Sequence, residues 1–174
     1  TGLLFEETYA LRHQVELRYG LTIETAEAVQ TVAEQEATHG PELWQSQPDL
    51  CCQLRKVRPL TRALSSRSAW ITGLRRRPDG DRKDIGEVEW DHQFNLLKIN
   101  PLAKWTREDV SAYLEENRIP YNPLLDEGYR SLGCVPCTSR VSSLTSLDDE
   151  RAGRWANHQK SECGIHPPPP QKAK

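Results

Sequence analysis

A chain of 174 residues, 36% apolar and 28% charged with a mean hydropathy of −0.73, is long enough for one domain core. No run approaches the roughly 18 apolar residues of a spanning helix and no basic start with an apolar run suggests export, so a cytoplasmic protein is the default expectation. A formal net charge of −2 gives no general attraction to nucleic acid.

The chain has no methionine and opens on Thr1-Gly2, in what reads as a strand-to-helix turn, so it is expected to be truncated at its N-terminus. Residues 5–19 read as an amphipathic helix, with Leu11, Val15 and Tyr19 four apart and Gly20 as its stop. Residues 21–25 read as a short strand and 26–39 as a second helix, ended by Gly40-Pro41. Residues 43–49 form a loop into a further helix over roughly 50–64, which carries Cys51-Cys52 and Arg55-Lys56 within one turn. The β-prone run 68–72 ends at Gly73, just before Arg75-Arg76-Arg77, and 78–86 is a polar loop.

Strands are expected at 87–90 and 96–99. Thr106 then caps a helix over 107–117, with Asp109 at the third helical position, and Ile119-Pro120 marks its exit. A turn-rich stretch over 121–130 leads to Cys134 and Cys137, a polar stretch fills 142–150, and 151–155 reads as a last helix-like piece. Four prolines make the tail unstructured or polyproline-like. Helices alternating with short strands predict an α/β fold with a mainly parallel sheet flanked by helices. Two parts are expected: an α/β domain over 1–141 and a flexible segment over 142–174.

The thiols organise the chemistry. In Gly133-Cys134-Val135-Pro136-Cys137 the backbone reverses between two sulfurs and Pro136 stiffens the turn, so both can aim at one centre. Cys51-Cys52 is the other pair. A single zinc ion favours two Cys-x-x-Cys knuckles, whereas adjacent cysteines on a helix diverge by about 100°. Divergent thiolates suit a cuboidal iron–sulfur cluster, in which each binds its own iron corner. Zinc, and a pair of buried cysteines beside an incidental turn, remain as alternatives; disulfides fit least, since tandem cysteines bridge only with strain.

Positive charge is bunched at Arg55, Lys56, Arg58 and Arg62, at Arg75-Arg76-Arg77 with Arg82 and Lys83, and at Arg151 and Arg154. Such clusters, each beside a cysteine motif or a glycine turn, point to a small anionic ligand, the plainer alternative being a solvated basic face. Cys163 has no partner in the pattern. It is a candidate nucleophile that Lys160, His166 or an anion's arginine shell could hold ionised, or else an ordinary thiol.

With these residues in view, the chain resembles the assimilatory adenylyl-sulfate and phosphoadenylyl-sulfate reductases. The ordered markers are Thr1-Gly2-Leu3-Leu4-Phe5-Glu6-Glu7-Thr8, Cys51-Cys52-Gln53-Leu54-Arg55-Lys56-Val57, Thr72-Gly73-Leu74-Arg75-Arg76, Gly133-Cys134-Val135-Pro136-Cys137-Thr138, Arg151-Ala152-Gly153-Arg154-Trp155 and Glu162-Cys163-Gly164-Ile165-His166. The resemblance implies an adenine-nucleotide α-hydrolase-like (PP-loop type) fold, lacking here the first strands and the Ser-Gly-rich loop that precede Thr1. It implies that Cys163 attacks the sulfuryl sulfur of adenylyl sulfate, expelling AMP, and that thioredoxin or glutaredoxin then releases sulfite. It further implies a [4Fe-4S] cluster on Cys51, Cys52, Cys134 and Cys137, and anion binding by Lys56, Arg75, Arg76, Arg82, Arg151 and Arg154. Four thiols favour adenylyl sulfate over its 3′-phosphorylated form within the family. No nucleic-acid partner is implied, and homo-oligomerisation is left open.

Two other classes compete. One is a four-cysteine zinc module that contacts RNA or protein through its arginines, and the other is an enzyme of the same α/β superfamily that transfers sulfur to tRNA.

Overall fold

The computed structural model describes residues 1–77, 82–141, 149–156 and 160–166; the expectations for 78–81, for 142–148 and for the proline tail fall outside these. The chain divides into two units, one made of Thr1–Pro59 with Pro120–Cys163, the other of Leu60–Ile119 with the described residues after Cys163.

The first unit is helical and turn-rich. Helix α1 (Glu6–Tyr19) carries Glu6 and Glu7 in its first turn, where carboxylates complement the helix dipole, and ends at Gly20. The strand expected at 21–25 does not form. Its backbone is held by α1 instead: Glu16 accepts from the Ile23 amide at 2.9 Å and Arg12 Nη1 donates to Thr25 Oγ1 at 2.6 Å. Helix α2 (Val32–His39) starts later than expected, because Thr31 and Glu34 close a reciprocal capping box that fixes its first turn. The expected loop at 43–49 contains a helical turn, α3 (Leu43–Ser46), whose Leu43 is fully buried.

The helix expected over 50–64 is three pieces: α4 (Pro48–Cys52), a π-helical turn (Gln53–Val57) and α5 (Arg58–Leu64). Pro59 explains the widened turn. It lacks an N–H and crowds the carbonyl four residues back, so the α ladder cannot run through Arg55 unchanged.

The second unit holds a three-stranded sheet in the order β1 (Ala69–Ile71), β3 (Leu96–Ile99), β2 (Val88–Asp91). β1 and β3 are parallel, with Ala69 opposite Leu97, while β2 runs antiparallel to β3, with Trp90 opposite Leu97. The α/β class therefore stands, and the described sheet is mixed. The turn between β2 and β3 is set by Asp91, whose Oδ1 accepts from the amides of Gln93 and Phe94 at 3.0 and 3.1 Å. Helix α6 (Arg107–Glu116) begins at the Thr106–Asp109 capping box that its sequence announces.

Leu74, Ile85 and Ala103 form a small apolar core in this unit. Beside it, fully buried Asn100 donates to the Gly86 carbonyl at 2.8 Å and pairs with Thr72. The described residues after Cys163 pack on the sheet: Gly164 accepts from Gln93 at 3.0 Å, and His166 stacks on Trp70 with ring centres 5.3 Å apart.

Candidate functional site

In the first unit the two cysteine pairs meet. The segment before α1 pairs with the Cys-x-x-Cys turn, Leu4 opposite Cys134, and the Val135 amide donates to the Leu3 carbonyl at 2.8 Å. The turn itself is a 3-10 element (Val135–Cys137), entered through Pro136, with the Cys137 amide on the Cys134 carbonyl at 3.0 Å. Thr138 Oγ1 takes the same carbonyl at 2.9 Å. Cys51, Cys52, Cys134 and Cys137 all line one cavity, whose other walls are Leu3, Trp44, Pro48, Arg55 and Lys56. Among the described residues no three His, Cys, Asp or Glu side chains converge closely enough to hold one metal ion.

The residues that read as a helical piece at 151–155 form turns instead. Gly153 takes φ +85°, which a side chain rarely adopts, and a Cβ there would overlap the Ser139 carbonyl oxygen. Trp155 is also left-handed at φ 47°. These turns lay the segment against the cysteine knuckle: Thr138 bridges Arg154, and the Trp155 amide donates to the Cys137 carbonyl at 3.1 Å. Arg154 reaches the same carbonyl at 3.4 Å and the Leu132 carbonyl at 3.0 Å. Trp155, only 3% exposed, has cations over its ring from Arg154 at 4.4 Å, Arg151 at 5.5 Å and Lys160 at 5.7 Å. Its indole N–H is buried without a completed hydrogen bond, beside the Cys137 thiol.

Cys163 belongs to this unit. Lys160 pairs with Asp49, two residues before Cys51, and Arg151 pairs with Glu162 at 3.4 Å, both Arg151 and Glu162 being largely shielded. These two ion pairs fasten the residues just before Cys163 to the cysteine site. Cys163 and Cys52 are close enough to act on each other electrostatically.

Burial is the largest influence on the acidity of Cys51, Cys52 and Cys137. It pushes Cys52 up to about 11, against the pull of Lys56 and Lys160. Cys51 is raised by burial and by Cys134 and Cys137, with Arg55 and Gln35 opposing. Cys137 is raised by burial and by Cys134, with Lys56, Arg154 and Trp155 opposing. Lys56 thus acts on both pairs, as a cation between them. Burial favours the protonated form of these three thiols, and nearby cations oppose it.

Arg55 is only 4% exposed and serves the frame. It donates to the carbonyls of Thr1, Gln30 (3.3 Å) and Thr31 (3.5 Å) and to Gln35 Oε1 at 3.2 Å. Of the remaining expected anion ligands, Arg75, Arg76 and Arg82 lie in the second unit, after β1. There Arg76 Nε donates to the Ile85 carbonyl at 2.6 Å and the Arg77 amide to the Arg82 carbonyl at 3.3 Å. The sequence alone pointed neither to Trp155 and Gln35 as neighbours of the thiols nor to the burial of Arg55. The Gly-x-Trp spacing after Arg151 was the one available signal.

Comparison with known proteins gives a consistent result. Residues 1–140 match the model of the phosphoadenosine phosphosulfate reductase domain. The chain is 47% identical to the adenosine 5'-phosphosulfate reductase of Oceanobacillus iheyensis, over 95% of this chain and 68% of that one. It is 46% identical to the phosphoadenosine 5'-phosphosulfate reductase of Gloeobacter violaceus, over 95% and 69%. Among solved structures it resembles the phosphoadenylyl-sulfate reductase of Candida auris in a phosphate complex, with a TM-score of 0.66, 36% identity and coverage of 81% and 68%.

Proposed function

Because the chain belongs to the phosphoadenosine phosphosulfate reductase family, we propose that the protein it comes from reduces adenylyl sulfate to sulfite and AMP through an S-sulfocysteine on Cys163. The observation that supports the proposal is that Cys163 lies within electrostatic range of Cys52, one of four cysteines lining a single cavity.

In the first step the Cys163 thiolate attacks the sulfuryl sulfur. An S–S bond forms, the S–O bond to the phosphate breaks, and AMP leaves with the electron pair. In the second step a thiolate of thioredoxin or glutaredoxin attacks Cys163 Sγ and sulfite leaves. The mixed disulfide is then resolved by the reductant's second thiol, so that the two electrons come from the dithiol. Two anions must meet in the first step, so cations have to stand where charge accumulates. Lys56, Arg75, Arg76, Arg82 and Arg151 are proposed to supply them. Arg154 belongs to the same set, although its hydrogen bonds here hold the cysteine knuckle.

Cys51, Cys52, Cys134 and Cys137 are proposed to hold a [4Fe-4S] cluster. The donor set fits: four thiols, buried or half-buried, on two chain segments around one cavity, with a lysine beside both pairs. One zinc ion with ~2.3 Å bonds would need its sulfurs drawn together around a point. Adjacent cysteines diverge around the helix, and a cuboidal cluster accommodates that by taking each at a separate corner. When bound, the cluster supplies fixed charge and a rigid tie between the two segments; the reaction's electrons come from the dithiol. The four-thiol set also favours adenylyl sulfate over the 3′-phosphorylated nucleotide. This chemistry belongs to sulfate assimilation in a reducing, cytoplasmic setting.

The test is to incubate the full-length protein with 35S-labelled adenylyl sulfate or its 3′-phosphorylated form, without reductant, and to map the label. Label on Cys163, lost in Cys163→Ser and released as sulfite by thioredoxin, is expected, faster with adenylyl sulfate. Label surviving Cys163→Ser would defeat the proposal. Iron and sulfide analysis after anaerobic purification tests the cluster independently, and a colourless, zinc-loaded protein would remove it.

A further inference from the structure

Helix α2 contributes one residue that the reaction does not use. Gln35 is 0% exposed, and its Oε1 accepts from buried Arg55 Nη1 at 3.2 Å. A guanidinium can only donate, so this bond fixes which end of the amide is oxygen and sends the NH2 group the other way. Among the described residues that nitrogen is buried and has no partner at ordinary hydrogen-bond distance, while the side chain acts on the Cys51 thiol as a weak donor.

An amide N–H buried without an acceptor gives up its hydrogen bonds to water for nothing, so a glutamine held this way in a core is unfavourable unless something accepts from it. A protonated thiol is a weak acceptor. A thiolate bound to iron carries negative charge and accepts far better. The donor is therefore preset for a state of Cys51 in which the sulfur has lost its proton to a metal.

We propose that Gln35, oriented by Arg55, is a positioning residue for the iron–sulfur cluster and donates an Nε2–H···Sγ hydrogen bond to Cys51. The inference rests on the cluster reading above. Three elements take part: the Thr31–Glu34 box fixes the first turn of α2, α2 carries Gln35, and the π-helical turn supplies Arg55. A hydrogen bond to a coordinating sulfur removes electron density from it, which weakens the Fe–S bond and favours the reduced cluster.

The experiment uses the full-length protein, purified anaerobically, with Gln35→Leu and Gln35→Glu. The glutamate keeps an oxygen for Arg55 but has no N–H to offer. Resonance Raman spectra of the Fe–S(Cys) stretches are recorded in H2O and D2O, with iron counted per chain. The wild type is expected to show a shift in one Fe–S(Cys) stretch on deuteration, and both variants to lose it. Loss of iron from a variant whose melting curve matches the wild type also supports the positioning role. Iron-replete variants that keep the isotope shift would overturn the hydrogen bond while leaving the cluster intact. Variants that both fail to fold would make Gln35 a packing residue and overturn it too. A wild type without iron would sink the cluster reading first, and this inference with it.

Discussion

Arg154 stands where a side chain on Gly133 would begin: a Cβ on Gly133 would have Nη1, Nη2 and Cζ of that guanidinium all within 2.9 Å. Only a residue without a side chain lets the arginine cross the backbone there and reach the Leu132 carbonyl at 3.0 Å. The invariant requirement is one of space. Arg154 in turn holds the carbonyl of Cys137 and lies over Trp155, so the shape of the cysteine knuckle depends on that approach.

Gly133→Ala is therefore expected to displace the guanidinium and destabilise the protein by about 1–3 kcal/mol, the usual range for forcing a methyl into a filled site. Iron per chain should fall with it, because Cys134 and Cys137 sit on the disturbed turn. Thermal unfolding and an iron assay check this. An unchanged melt with full iron would mean that Arg154 swings aside freely. Arg154→Lys should not substitute for the arginine, since a single ammonium cannot span the Cys137 and Leu132 carbonyls and the Ser131 hydroxyl as the planar fork does.

The start of α2 gives a pH-dependent prediction. The Thr31 amide and hydroxyl, as hydrogen-bond donors, hold the Glu34 carboxyl below its ordinary value of 4.5. A carboxylate lowered by folding stabilises the folded state above its unfolded pKa, and that contribution is lost as pH falls through the lower, folded value. Amide exchange in α2 should accelerate in that acid window before the rest of the first unit opens. Thr31→Ala should cost about 1 kcal/mol at neutral pH through the lost hydroxyl and shrink the acid step without removing it, because the residue-31 amide, the larger influence on Glu34, remains. Exchange rates for α2 that are flat across the window would contradict the box.

The two cysteine pairs, as candidates for one centre, and the helix boundaries set by short-range bonds were legible in the sequence, because each pair and each boundary is encoded within a few residues. Thr106 with Asp109 and Gly20 after Tyr19 are of this kind. Residues 21–25 show the opposite case. Their composition suits a strand, but a strand needs a partner, and the Glu16 carboxylate took the Ile23 amide first. Pro59 was visible, yet its effect, a π turn rather than a straight helix through Arg55, depends on how the ladder reorganises. Arg55 and Arg58 look alike in a basic cluster, and only packing reveals that Arg55 is interior while the charge of Lys56 faces the thiols. Gln35 carries no motif at all. Its meaning comes from an arginine twenty residues away.

The fastening of the Cys163 segment can be tested by loosening one ion pair. Glu162 is joined to Arg151 at 3.4 Å, and Arg151 also lies over Trp155. Glu162→Gln keeps the shape and removes the charge, so the pair's contribution, about 1 kcal/mol for a partly shielded bridge, is lost. Limited proteolysis just before Cys163 should then speed up by roughly fivefold, as that energy implies. Iron content should be unchanged, because Glu162 does not line the four-thiol cavity. Equal cleavage rates in the two proteins would show that the segment is held by other contacts.

The metal-free protein should lose stability at high pH, and the sign follows from Cys52. Burial is the largest influence and pushes this thiol from 9.0 up to about 11, with Lys56 and Lys160 pulling it back and Cys163 and Cys51 adding to the rise. Between those values the folded chain keeps a proton that the unfolded chain releases. The native state thus binds more protons than the unfolded one, and stability declines as pH climbs from 9.0 towards about 11. Denaturant melts of metal-free wild type and Cys52→Ala across this range separate the effect from the titration of lysines and tyrosines, which both proteins share. The wild type should fall more steeply. Iron reverses the sign, because a metal takes the place of the proton: loading should release protons and strengthen as pH rises through neutrality. Parallel slopes in the two metal-free proteins would show that Cys52 does not hold its proton against solvent, and that the cavity is wetter than its walls imply.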